Sequence, residues 1–122
     1  MYNDRERAIG LRAAASFPLL LCEGQRAAHC RALEISATGI VVERGRPLSE
    51  RELRASFRLE LFVPGAARPV RALAKVARSL TPTRYALRFV LISDVDRLSL
   101  MEYLDQQEHD SLRLLDEVAG AA

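Results

Sequence analysis

Cysteine is scarce in this chain of 122 residues, with only Cys22 and Cys30 present. Two cysteines exclude a disulfide framework, and their spacing matches no metal site. Both read as small strand residues, buried and kept reduced in a cytosol. Long hydrophobic runs are absent too: the longest early one, "FPLLLC" from Phe17 to Cys22, is too short for a secretory core or a membrane span. Cytoplasmic residence without membrane insertion is the expectation. Lysine occurs once, so 17 of the 18 cations are arginines and no single arginine carries much information. Aromatic residues make up 6% and do not interleave with the basic ones, which argues against nucleic-acid binding, as does the lack of a basic helix. There is no Gly-x-Ser-x-Gly elbow, Walker loop or dinucleotide glycine fingerprint. Adjacent on a predicted strand, His29 and Cys30 point to opposite faces and cannot share a metal ion. His109, Asp110 and Ser111 are neighbours on a predicted helix and do not face one another, so they form no relay. The chain reads as non-enzymatic, with neither catalytic residues nor a metal site.

What is present fits one folded domain. The composition, 49% hydrophobic and 28% charged, is globular, and the length suffices to bury a core without staples. Net charge is +2 but unevenly placed: residues 1–92 carry +8, and residues 93–122 carry −6. A basic body attracts anionic ligands.

Period-two alternation predicts six strands. "ASFPLLLCE" forms the first, and "AHCRALEIS" the second, with Leu33 and Ile35 on one side and Glu34 and Ser36 on the other. A Ser-x-x-Gly turn leads into "GIVVE", and the polar stretch "RGRPLSEREL" separates that strand from "SFRLELFVP", where Phe57, Leu59, Leu61 and Val63 mark one face. "PVRALAKVARSL" follows, then "YALRFVLIS" with Tyr85, Leu87, Phe89 and Leu91 in alternation. Six antiparallel strands suggest a small barrel, which removes exposed edges. At Ser93 the pattern changes to a capped helix with acids in its first turn. Val95, Leu98, Met101 and Leu104 form the stripe expected to pack on the barrel. Polar residues interrupt it from Asp105 to Ser111, and Leu112, Leu114, Leu115 and Val118 then resume it as a candidate partner contact. The expected organisation is an N-terminal segment over 1–10, a barrel with the start of its helix over 11–105, and an acidic tail, helical or disordered, over 106–122.

Six strands, a terminal helix and the segments "LEISATGIVVE", "FRLELFVPG" and "YALRFVLIS" together resemble the PilZ domain, a bacterial module whose intact members bind cyclic di-GMP. The resemblance implies a mainly β fold, a six-stranded antiparallel PilZ-like barrel with a C-terminal α-helix. It also implies two ligand-binding parts: an Arg-x-x-x-Arg segment before the first strand, and a D/N-x-S-x-x-G turn. Bidentate guanidinium forks suit the phosphates, and a short acid or amide suits a guanine edge. Ser36 and Gly39 match the turn, while Glu34 stands at the Asp/Asn position with one extra methylene. Arg12 aligns with the second arginine, but the first falls on Ala8, and Arg5 and Arg7 stand at the wrong steps from Arg12. A charged hydrogen bond contributes roughly 1.5 to 3 kcal/mol, so losing two removes about two to four decades of affinity.

The function that follows from the resemblance is a regulatory adaptor acting through a protein partner in bacterial signalling: motility, polarity, pili or exopolysaccharide control. Cyclic di-GMP binding is then weak or absent. The alternative is a working cyclic di-GMP receptor with Arg5, Arg7, Arg12, Glu34, Ser36 and Gly39 as its degenerate site. Without a ligand, Ser36 can bond the turn backbone, and Gly39 is expected to supply a positive φ.

Overall fold

The computed structural model describes residues 13–121, with side chains from 13 to 110. Its strands are β1 (Ala13–Ala14), β2 (Pro18–Glu23), β3 (Arg26–Ile35), β4 (Gly39–Arg44), β5 (Ser56–Leu61), β6 (Val70–Thr81) and β7 (Arg84–Ile92). Two helices complete it, α1 (Glu50–Leu53) and α2 (Asp94–Ala121). All pairings are antiparallel in the order β1-β3-β2-β5-β6-β7-β4, and β3 also pairs with β4. That last pairing closes six long strands into a barrel. The two-residue β1 continues the edge of β3 that β2 leaves free.

Alternation fills the barrel as the sequence predicts along β5, where Phe57, Leu59 and Leu61 are buried with Val63 just beyond. It fails for Leu33 and for Leu91, each for the same reason. Between Ala32 and Glu34 the register of β3 against β4 slips by one residue, a bulge at Leu33. Cys30, Ala32 and Ile35 therefore face inward while Leu33 does not share their side. A second slip sets Leu73 opposite Leu91 but Ala74 opposite Phe89, so Val90 is the extra residue of β7. Leu91, expected in the core row, is instead 68% exposed, and Ile92 takes the inward place. A bulge inverts the period-two pattern downstream of itself.

The terminal helix starts where expected. Ser93 Oγ accepts the Asp96 N–H at 3.2 Å and donates to Asp96 Oδ2 at 2.8 Å. Of the expected stripe only Leu104 is buried: Leu100 and Asp96, the latter beside Arg68 at 3.4 Å, share its face, whereas Val95 and Leu98 are 59% and 63% exposed and Met101 also points outward. Tyr103 meets Phe17 edge to face with ring centroids 5.8 Å apart. No described helix is long and apolar enough to cross a membrane.

The polar stretch between β4 and β5 contains a helix that alternation did not reveal. Ser49 and Glu52 form a capping box, Ser49 Oγ accepting the Glu52 N–H at 3.2 Å and Glu52 Oε1 accepting the Ser49 N–H at 2.9 Å. The Ser-x-x-Glu signal was present in the sequence. Glu52 also reaches the buried Arg44 at 3.6 Å, and Arg51 forks onto Glu23 at 2.5 and 3.2 Å. Tyr85 Oη ties the preceding loop to the β6–β7 turn, accepting the Leu48 N–H at 2.9 Å and donating to the Pro82 carbonyl at 2.6 Å.

Both cysteines are buried and unpaired. Burial pushes the Cys30 thiol up to about 11, with nearby Arg44 opposing the shift and Glu43 adding to it. An unfolded thiol ionises near 9.0 and the folded one does not, so Cys30 disfavours unfolding less and less as pH rises from 9 towards 11. At pH 10 the loss should be about 1.4 kcal/mol relative to pH 8. Comparing denaturant melts of the native chain and Cys30→Ala at the two pH values isolates it: the variant's change should be smaller by that amount.

Candidate functional site

The Ser36–Gly39 turn links β3 to β4 and is closed by the Ser36 N–H bonding the Gly39 carbonyl at 2.9 Å. Ser36 is buried, and its Oγ accepts the N–H groups of Thr38 and Gly39, each at 3.2 Å. The same hydroxyl lies 3.3 Å from the Gly39 carbonyl oxygen and 3.3 Å from Thr38 Oγ1. A serine hydroxyl has one proton and two lone pairs. The turn itself employs all three.

Gly39 is required, but not for the reason its place in a turn suggests. Its φ is not positive; the described glycines with positive φ are Gly24 and Gly65. Gly39 pairs with Arg88 on β7, and a Cβ there would come closer than 3.0 Å to the Leu87 carbonyl oxygen. Close backbone approach selects glycine here.

Beside the turn the outer wall of the barrel is concave, a depression of about 400 Å³ lined by Glu34, Ser36, Gly39, Val41, Arg78 and Leu80 among others. The register explains its floor. Glu34 pairs with Val41, Val41 with Ala86 and Ala86 with Arg78, so these residues form one row across four strands. Three strand spacings, about 14 Å of backbone, separate the carboxylate position from the guanidinium position. Arg78 is the one cation among the described lining residues, and Leu80 and Val41 make the surface between partly apolar. The structure thus brings Glu34, Ser36 and Gly39 together. Arg5, Arg7 and Arg12 lie outside the described residues, as do the side chains of Leu112, Leu114, Leu115 and Val118.

Two features went unread in the sequence. Arg78 joins the site only through the β6–β7 register. A second depression, about 480 Å³, opens on the outside of β5, β6 and β7 around Arg58, Arg71, Leu73, Leu91 and Asp96. The alternation of Arg71, Leu73 and Lys75 along β6 was a signal for such a face. Of the surface acids, Glu43 is held below the usual carboxylate range, first by hydrogen bonds from Arg84 and Thr83. It belongs to neither depression.

No family model matches the chain, and no curated protein matches it in sequence. Solved structures do match it in shape. The inhibitor of motility MotI/DgrA from Bacillus subtilis superimposes with a TM-score of 0.68 at 23% identity, over 81% of this chain. This chain spans about half, 49%, of that protein's length. The PilZ domain of YcgR from Escherichia coli, solved with c-di-GMP, superimposes with a TM-score of 0.63 at 13% identity over 86% of this chain and 94% of that one. The chain has a PilZ-like fold: a closed six-stranded antiparallel barrel with a C-terminal helix.

Proposed function

We propose that this protein is a non-enzymatic regulatory adaptor of bacterial signalling that works through protein contacts and binds cyclic di-GMP weakly or not at all. The observation that carries the reading is in the sequence: Ala8 stands where the arginine segment calls for its first arginine, and Glu34 stands at the Asp/Asn position of the turn. A ligand with two phosphates calls for several guanidinium forks. The described lining offers one, Arg78, set across the floor from the carboxylate of Glu34. Ser36 is further occupied by its own turn. The Bacillus neighbour is an inhibitor of motility, and that likeness directs the proposal towards motility and related surface behaviour, whereas the YcgR domain was solved with c-di-GMP, the ligand of the alternative reading. The protein is proposed to act in the cytoplasm. Exposed Leu91, Val95 and Leu98 supply apolar surface for a protein partner.

Titration calorimetry with cyclic di-GMP tests it. The native chain should give no saturable heat at micromolar ligand. The double variant Ala8→Arg with Glu34→Asp should gain at least tenfold in affinity, and that gain should fall with added salt. Micromolar binding by the native chain would establish the receptor reading instead.

A further inference from the structure

The outer face of β5, β6 and β7 carries a charge pattern that the barrel's own ion pairs leave largely unused. Arg58, Leu73 and Leu91 lie opposite one another in one row, and Lys75 and Arg88 lie opposite one another in the next. Arg71 flanks the row on its other side. Arg71, Lys75 and Arg88 are exposed and make no ion pair among the described residues. Glu60 lies directly opposite Arg71, but four cations, Arg58, Arg71, Lys75 and Arg88, outnumber it, so the face is net basic with an apolar centre, at which Leu91 stands 68% exposed.

The complementary surface is in the same chain. Leu104 is the last helix residue buried against the barrel among those whose side chains are described, and α2 runs on without a break to Ala121. From residue 105 onwards the helix holds five acids, Asp105, Glu108, Asp110, Asp116 and Glu117, against one cation, Arg113, together with three leucines and a valine. This stretch extends about 25 Å past Leu104 at 1.5 Å per residue. The first turn of α2 borders this face through Ser93 and Asp96, and a continuous helix that starts there carries its far end away from the face. A second molecule can present that face to it.

We infer that two copies of this chain pair reciprocally, the acidic end of α2 of each lying on the basic, leucine-centred face of β5–β6–β7 of the other. A two-fold arrangement satisfies both opposite charges at once, since each chain donates one helix and one face. A helix about 25 Å long and about 10 Å wide covers roughly 250 Å² beneath it. Counting both surfaces of both contacts, about 1,000 Å² is buried, the lower limit for a specific interface. The pairing names one partner for the protein contacts proposed above, and it stands or falls separately from nucleotide binding.

Sedimentation of the full chain over a concentration series at low ionic strength tests the pairing. The mass should rise from 13.6 kDa towards twice that value. Raising salt to about 1 M, where charges are screened within about 3 Å, should weaken association at least tenfold. A face-reversed variant, Arg71→Glu with Arg88→Glu, and a tail-reversed variant, Glu108→Arg with Glu117→Arg, should each be monomeric. Mixed, they should form a heterodimer, because the acidic face of the first then meets the basic tail of the second and the reverse contact also holds. Melting curves establish that each is folded; were a reversal to unfold the chain, Arg71→Gln with Arg88→Gln and Glu108→Gln with Glu117→Gln should each weaken association at least threefold. A native chain monomeric at the highest concentration, variants that dimerise alone as the native chain does, or folded variants that fail to pair when mixed would overturn the inference.

Discussion

Glu52→Ala should destabilise the fold by about 2 to 4 kcal/mol, measured as a drop in the denaturant midpoint. Arg44 points inward at the end of β4, its side chain only 8% exposed, and its Nη1 has no hydrogen-bond partner beyond the ion pair with Glu52 at 3.6 Å. Removing the carboxylate strands a buried guanidinium, which is the costly half of breaking a buried pair. The range stands below the full cost of a sealed pair because Glu52 itself is 18% exposed. The same deletion strips the capping box from α1, whose four residues have little else to define them. Removing both charges, as Arg44→Met with Glu52→Ala, should recover most of the loss, since no charge then stays buried alone.

Acid should act on the same group. The carboxyl of Glu52 is held below its ordinary value, first by the Ser49 backbone N–H and, among lesser causes, by Arg44. Its stabilising effect is therefore complete above the unfolded value of 4.5 and is lost as pH falls through the depressed folded value. Glu52→Gln should flatten the acid limb of the stability profile. An unchanged acid limb in that variant would refute this role of Glu52.

Gly39→Ala should cost about 3 kcal/mol, the upper part of the range for overpacking a well-filled site, because the obstacle is backbone. The Leu87 carbonyl belongs to the β4–β7 ladder and cannot rotate away as a side chain would. Ser36→Ala should cost about 1 to 2 kcal/mol, through the two turn N–H groups that lose their acceptor. A Gly39→Ala protein that melts with the native chain would show that β4 and β7 can part at no cost.

How far these sites were legible depends on the sequence distance over which each is decided. Ser93 announces α2 through Asp96, and Ser36 closes its turn through Gly39. Each is settled among residues within four of one another. The core row of β5 follows from alternation because no bulge interrupts that strand's pairing. For the same reason, six strands and a helix, and the resemblance built on them, could be read from the chain alone.

Leu33 and Leu91 could not be placed that way. Their sides depend on how many residues the partner strand sets against them, and a bulge records a mismatch between two segments distant in sequence. Nor could most of the buried face of α2: the sequence stripe included Leu104, but Asp96 and Leu100 join it in place of Val95, Leu98 and Met101 because of the angle at which the helix leaves β7, which no periodicity encodes. Arg78 reaches the depression through three successive strand pairings, and Gly39 answers to a carbonyl on β7. The chain by itself determined which segments become strands, where the helix begins and which polar turn is self-sufficient, since short-range sterics and hydrogen bonds suffice for those. Tertiary pairing alone decided which leucines are exposed, which helix face is buried, and that Glu34 and Arg78 stand across one floor, because each of these is a relation between strands that meet only when the barrel closes.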